Sequence, residues 1–218
     1  GIERCATSWI YKALDEHPDV CMSKYKEIDY FLNEEKYRKG MEYYESYFGH
    51  CKNKIKGEFS PRYYFSKTVI KRIKNDFPET KIIISMREPV DKTFSLYQMK
   101  KSYGLIGHSS FDTFIKDQRY LKRGFYFAQL KLVFDLFPRE NIKVLFYEDL
   151  KSDANKFSSD LYEFLGVDKY FKPSLLDKKL NATTQRLVLF RFILTILSKT
   201  KRNIFMKFKL GREVLYKR

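Results

Sequence analysis

The chain has few cysteines and histidines, and each shortage excludes a class of protein. Its 218 residues include three cysteines and three histidines. Cys5, Cys21 and Cys51 show neither metal-binding nor disulfide spacing, so we expect reduced thiols, which favours a cytoplasmic location. The histidines are scattered along the chain, and the sequence therefore predicts no metal site.

Long apolar runs are also missing. The longest one, from Leu187 to Leu197, is interrupted by Arg191, and a bilayer span needs about 20 apolar residues. We therefore expect no stable membrane insertion. No signal peptide is visible either, although a targeting or anchor segment before Gly1 stays an open alternative because the chain does not begin with methionine.

Acidic residues are scarce near the carboxyl end of the chain. The net charge is +16, and residues 178–218 supply +11 of it, with twelve basic residues against the single acidic Glu213. Such a tail can meet an anionic ligand, a nucleic acid or a membrane surface. A solvated basic helix is the plainer interpretation, and we expect no nucleic-acid partner.

Strands and helices alternate through most of the sequence. The run Ile82-Ile83-Ile84 is typical of a strand buried on both faces of a parallel sheet. The alternation predicts an α/β fold with right-handed crossovers, with an α/β core over 1–168 and a basic, helical tail over 169–218, in one domain. Strands are predicted at 20–22, 54–58, 81–86 and 141–146, and helices at 10–17, 37–48, 66–77, 111–117, 125–137 and 155–165.

The first nine residues have the character of a phosphate-binding turn that opens a helix. Thr7 and Ser8 offer hydroxyl groups at a helix start, where backbone N–H groups and the helix dipole favour anions. Arg4 adds a planar cation suited to phosphate or sulfate. An ordinary helix N-cap, with Thr7 or Ser8 as the capping residue, is an equally open interpretation.

The spacing of this turn overlaps the Walker A pattern Gly-x-x-x-x-Gly-Lys-Ser/Thr but departs from it twice. Ala6 stands in place of the second glycine, and Thr7 stands in place of the lysine. Since that lysine reaches the β- and γ-phosphates, a nucleoside triphosphate is a poor match. A phosphate group of another kind still fits.

Charged residues follow two of the predicted strands. Lys26 and Glu27 come just after the first strand, and Arg87 follows the third strand directly, with Ser95 two turns into the next helix. Open α/β sheets keep their ligands at the carboxyl ends of strands. Arg87 and Ser95 can therefore reach one anion there, although a structural ion pair would also explain Arg87.

Together these segments resemble the sulfotransferases that use 3′-phosphoadenosine-5′-phosphosulfate (PAPS), closest to the bacterial and heparan-sulfate-type branch. The likeness covers residues 1 to about 168, with the motifs in the family's order. The matching segments are the 5′-phosphosulfate loop Gly1–Trp9, the Lys26–Phe31 segment, Glu58–Tyr63, the 3′-phosphate motif Arg87–Ser95, and the strand and turn Pro138–Leu150.

The resemblance implies a P-loop-kinase-like parallel sheet flanked by helices, with a strand before the first loop that would precede Gly1. It implies PAPS as donor, no metal, and an acceptor hydroxyl or amine that we expect to belong to a carbohydrate. Glu27 would be the catalytic base, with Lys26 and Arg4 assisting. Donor-binding residues would be Arg4, Cys5, Ala6, Thr7, Ser8, Trp9, Arg87, Ser95 and, in the tail, Arg186.

Three alternatives remain open. Trp9 resembles a family tryptophan that packs on adenine, but core packing explains it equally well. Arg4 and Ala6, which replace a family lysine and glycine, are compatible with a catalytically degenerate member that binds a nucleotide or an anionic glycan. A P-loop kinase or NTPase is the third alternative, against which Thr7 argues.

Overall fold

The computed structural model describes residues 2–176, and all four predicted strands are present in it. They form two parallel pairs: β1 (Val20–Met22) with β2 (Ile55–Gly57), and β3 (Ile82–Met86) with β4 (Ile142–Phe146). The register aligns Val20 with Ile55 and Ile82 with Ile142. The predicted α/β class with parallel strands is confirmed.

The helices follow the predicted order with small shifts at their ends. The predicted helix 37–48 is instead two short helices and a 3-10 turn, broken at Gly40, whose φ of +79° suits glycine. The helices are α1 (Thr7–Glu16), α2 (Glu34–Arg38), α3 (Gly40–Glu45), α4 (Lys67–Asp76), α5 (Pro89–Ser102), α6 (Phe111–Ile115), α7 (Gln118–Leu121), α8 (Phe127–Leu136), α9 (Tyr147–Ser152) and α10 (Ala154–Leu165).

Helices cover both faces of the β3–β4 pair, as alternation along the strands requires. Ile84, Met86 and Ile142 pack in one core cluster with side chains of α4 and α8. Leu145 packs on the other face, in a second cluster with α1 and α10. The strands are buried on both faces because each face carries its own apolar set.

The chain start lies beside β3. The Ile2 N–H donates to the Ser85 carbonyl at 3.1 Å, and Ile2 is fully buried. A cavity of about 560 Å³ has Ile82, Ile83 and Ile84 of β3 in its wall, together with residues of β1, β2, α1 and α4. The strand that the resemblance places before Gly1 stays a prediction.

The expectation of three reduced cysteines is wrong. Cys21 of β1 and Cys51, in the loop before β2, form a disulfide with a Cα–Cα distance of 5.6 Å. Cys21 pairs with Lys56 of β2, and the loop before β2 brings Cys51 back to Cys21 across 30 positions of sequence. Spacing alone does not reveal this contact. Only Cys5 is a free, buried thiol. The cytoplasmic location loses the argument from reduced thiols and stays a prediction.

Several predictions fall outside residues 2–176. They are the basic helical tail beyond 176, the interrupted apolar run 187–197, and the donor contact expected of Arg186. Within the described residues, no helix is both long enough and apolar enough to cross a membrane.

The disulfide leads to the first prediction. Cys21→Ser should lower the free energy of unfolding by about 3–4 kcal/mol, because the cross-link restricts a loop of about 30 residues in the unfolded chain. Denaturant unfolding of the oxidised wild type and of the variant measures this difference. Thiol titration in denaturant should find one reactive thiol, that of Cys5, before reduction and three afterwards. Three thiols before reduction would contradict the disulfide.

Candidate functional site

The loop that opens α1 is built on a left-handed backbone. Ala6 is the N-cap residue, with φ of +59°, and no side chain caps the helix. The interpretation that Thr7 or Ser8 caps α1 is therefore wrong, because both residues lie inside its first turn. The N–H groups of Thr7 and Ser8 lack intrahelical partners by geometry, whereas the Trp9 N–H donates to the Ala6 carbonyl at 2.9 Å. This helix start can therefore offer the Thr7 and Ser8 N–H groups to an anion.

Arg4 reaches from this loop to α5. Its φ is +67°, and its Nε donates to the Ser95 hydroxyl at 3.0 Å. Burial lowers the pKa of Arg4, and the charge of Arg87 lowers it further. The structure therefore brings together the loop cation and the two residues predicted to meet a single anion.

Arg87 lies where β3 ends, with its guanidinium 4.4 Å above the ring of Tyr147. Its ion pair with Asp91 is long, at 3.8 Å, and the Asp91 side chain is exposed. Among the described residues the buried Nε of Arg87 has no hydrogen-bond partner. A buried donor without an acceptor is costly. The long ion pair with Asp91 leaves this Nε without an acceptor, and the binding of an anion by Arg87 stays a prediction.

Lys26 and Glu27 lie in the loop after β1 and face the α1 start. The Lys26 Nζ donates to the Ser8 hydroxyl at 3.0 Å and lies 3.7 Å from the Glu27 carboxylate. Burial lowers the pKa of Lys26, whereas Glu27 opposes that shift. Glu27 is about 42% exposed. A cation and an accessible carboxylate therefore sit together at the edge of the phosphate loop.

Two other residues predicted to bind PAPS, Trp9 and Cys5, have buried side chains. Trp9 is about 7% exposed and packs edge-on against Phe157, with ring centroids 5.7 Å apart, as the core-packing interpretation expected. Its stacking on adenine stays a prediction. Cys5 is fully buried, and burial raises the pKa of its thiol to about 12. Any contact of Cys5 with a ligand would therefore come from its backbone.

Sequence reasoning missed the role of the segment after β2. Glu58 accepts hydrogen bonds from the hydroxyls of Ser60 at 2.8 Å, Tyr63 at 2.6 Å and Tyr44 at 3.1 Å. Burial raises the pKa of Glu58, and these three hydrogen bonds oppose the shift. The Glu58–Tyr63 motif was recognisable in the sequence, but nothing in it revealed this carboxylate as a shared acceptor.

Comparisons with known proteins identify the family of this chain. The family profile described as sulfotransferase domain matches residues 1–188. The chain belongs to the sulfotransferase domain family. A solved sulfotransferase from Alicyclobacillus acidocaldarius is 25% identical, with a TM-score of 0.70, and the match covers 91% of this chain and 89% of that one.

Two curated relatives act on heparan sulfate according to their names. The bifunctional heparan sulfate N-deacetylase/N-sulfotransferase 4 of Mus musculus is 26% identical over 80% of this chain. The human heparan sulfate glucosamine 3-O-sulfotransferase 5 is 32% identical over 44% of it. The chain spans about a fifth of the first relative's length (22%) and 28% of the second's.

The left-handed Ala6 leads to the second prediction. We expect Ala6→Gly to be less destabilising than Ala13→Gly, by about 1–2 kcal/mol, because glycine relieves the left-handed strain only at position 6. Ala13 is a buried residue within α1, so Ala13→Gly combines the cost of glycine in a helix with the loss of a buried methyl group. Denaturant unfolding of both variants measures the difference. Equal destabilisation would argue against strain at Ala6.

Proposed function

We propose that this domain transfers a sulfuryl group from PAPS to a hydroxyl or amine of a carbohydrate. Two guanidinium groups carry the proposal. Arg4 and Arg87 lie close enough for one charge to lower the pKa of the other, and the buried Nε of Arg87 lacks a partner among the described residues. A donor with phosphate at both ends of its ribose would supply the missing negative charge.

The donor would lie across the edge formed by the α1 start and the end of β3. Arg87 and Ser95 would bind the 3′-phosphate, and the α1 start would bind the 5′-phosphosulfate through Thr7, Ser8 and the N–H groups of the loop. Arg4 would contact both the 5′-phosphosulfate and the 3′-phosphate, because it belongs to the first loop and its Nε donates to Ser95 on the 3′ side. Arg186 would add a contact from the tail.

Sulfuryl transfer moves an SO₃ group in line from the phosphate leaving group to the acceptor atom. The protein's part is to position the reactants and to stabilise the spread negative charge. Glu27 would take the acceptor proton as general base. Lys26, which already donates to Ser8, would stabilise the charge that develops on the leaving side. We expect this chemistry to proceed without a metal.

Two features of the first loop count against the alternatives, which are a catalytically degenerate family member and a P-loop kinase or NTPase. The degenerate-member hypothesis was motivated by Arg4 and Ala6, yet Ala6 adopts the left-handed backbone that favours glycine, so the loop keeps its turn without one. A kinase or NTPase needs a lysine at the position of Thr7. Lys26 reaches Ser8 instead, from a different loop.

The relatives' names point to the acceptor class. A glucosamine amine or hydroxyl of a heparan-type polysaccharide is our proposed acceptor, because sulfation of heparan sulfate at nitrogen and at the 3-oxygen is named for the two relatives. We propose no nucleic-acid partner. N-desulfated heparin, which carries free amines, and unsulfated heparosan are suitable probes for the two positions.

The third prediction concerns the proposed base. Glu27→Gln should lower kcat for transfer from PAPS to the better of these two polysaccharides by about 100-fold or more, because the amide cannot accept the acceptor proton. The affinity for adenosine 3′,5′-bisphosphate should stay within about twofold. Glu35→Gln, at an exposed position of α2, is the matched control and should retain full activity. Full activity of Glu27→Gln would refute the assignment.

The fourth prediction concerns the 3′-phosphate. Arg87→Ala should weaken binding of adenosine 3′,5′-bisphosphate by about 10- to 100-fold, the range of a charge-assisted hydrogen bond, and should leave 5′-AMP almost unaffected. Calorimetry measures the ratio of the two affinities.

Arg139→Ala is the control for that measurement. Arg139 also packs over an aromatic ring, 4.9 Å from the Phe134 centroid, but it precedes β4 and so lies away from the carboxyl ends of the strands. An unchanged affinity ratio in Arg87→Ala, or an equal change in Arg139→Ala, would show that Arg87 does not bind the 3′-phosphate.

A further inference from the structure

The loop that carries Glu27 is held by the segment after β2. Three backbone N–H groups of this loop donate to that segment: Glu27 to the Phe59 carbonyl at 2.9 Å, Asp29 to the Ser60 hydroxyl at 3.3 Å, and Phe31 to the Tyr63 hydroxyl at 3.1 Å. Arg62 adds an ion pair with Asp29. Two of the three acceptors are side-chain hydroxyls, whose orientation must be set by something else.

Glu58 sets the orientation of both hydroxyls. A backbone N–H can only donate, so Ser60 and Tyr63 must accept from the loop and send their own protons elsewhere. Both protons go to the Oε1 atom of Glu58, at 2.8 Å and 2.6 Å. A carboxylate has enough lone pairs for both bonds and for the Tyr44 hydroxyl on Oε2. The hydroxyls of Ser60, Tyr63 and Tyr44 thereby all donate to the Glu58 carboxylate.

The loop needs such support because its backbone is strained. Glu27 has φ of +60° and Asp29 has φ of +51°, a conformation that costs an ordinary residue about 1–2 kcal/mol. Strained residues keep their geometry only when their surroundings fix it. Phe59 and Ser60 accept from the N–H groups of the two strained residues themselves, and Tyr63 accepts from the N–H just beyond them. These anchors therefore hold the turn that presents the Glu27 side chain.

We propose that Glu58 is a positioning residue for the Glu27 base, acting through the hydroxyls of Ser60 and Tyr63 on the backbone of residues 27–31. The inference rests on the proposed function for the role of Glu27, but the restraint on the loop stands apart from it. Glu58 touches no reacting atom. Its effect is to keep the Glu27 carboxylate beside Lys26 and the α1 start.

Hydrogen exchange of the peptide covering residues 24–32 tests the restraint without any acceptor. Tyr63→Phe and Glu58→Ala should each speed exchange in this peptide by about tenfold or more, because they free the Phe31 amide or both hydroxyl acceptors. Glu58→Gln should largely rescue the effect, since the amide oxygen can accept both protons and its NH₂ group can donate to Tyr44. Tyr162→Phe, which removes a buried hydroxyl bonded to the Ala13 carbonyl, is the matched control and should leave this peptide unchanged.

Kinetics with PAPS and the better polysaccharide test the consequence for catalysis. Tyr63→Phe and Glu58→Ala should lower kcat by about 10- to 100-fold, the cost of a misplaced catalytic group, and should leave the KM for PAPS within about twofold. In a Glu27→Gln background, Tyr63→Phe should cause no further loss, because residues that act as a unit are not additive. A merely structural role would lower the activity of both backgrounds by the same factor.

The outcomes separate the two hypotheses. Unchanged exchange in Tyr63→Phe and Glu58→Ala would overturn the proposal, as would equal losses of kcat with and without Glu27. If Glu27→Gln is fully active, or wild type transfers nothing, the proposed function fails, and the exchange measurement still decides whether Glu58 holds the loop. Both hypotheses are supported if Tyr63→Phe and Glu58→Ala speed exchange and if Tyr63→Phe lowers kcat only when Glu27 is present.

Discussion

The candidate site contains two like charges that interact: Arg4, which is bonded to Ser95, and Arg87, whose charge lowers the pKa of Arg4. Each guanidinium is partly removed from water, and each raises the electrostatic cost of the other. Proteins keep such pairs where an anion supplies the opposite charge, and the unpartnered Nε of Arg87 indicates where that anion would bind.

Strain in two facing loops is the second constraint. Arg4 and Ala6 in the first loop, and Glu27 and Asp29 in the second, all take left-handed backbones. Each loop keeps this conformation through contacts with other elements: α5 through Ser95 for the first, and the segment after β2 for the second. The Lys26 contact with Ser8 joins the two loops. Strain stored at a site in this way is typical of groups held ready for a ligand or a reaction.

Much of the fold was predictable because it depends on local patterns. The positions of the strands follow from apolar periodicity, including the β-branched run of β3. The placement of Arg87 and Ser95 near the carboxyl end of β3 follows from their position after that strand. The Cys21–Cys51 disulfide and the Arg4 contact with Ser95 were not predictable, since each joins residues that only the tertiary fold brings together. Glu58 was missed for another reason: a buried carboxylate is understood only once its three hydroxyl donors are known.

Arg4 and Ala6 stand where the family pattern has lysine and glycine, and the structure shows the conformation and contacts of both residues. A glycine at position 6 would reach the left-handed backbone at no steric cost, and Ala6 reaches the same conformation with α1 packed behind it. An arginine at position 4 is too rigid to follow a departing oxygen as a lysine can. However, it spans the distance to Ser95, and Lys26 supplies a flexible ammonium at Ser8. In the proposed mechanism, the binding of the phosphosulfate and the stabilisation of the departing oxygen would therefore be divided between cations of two loops.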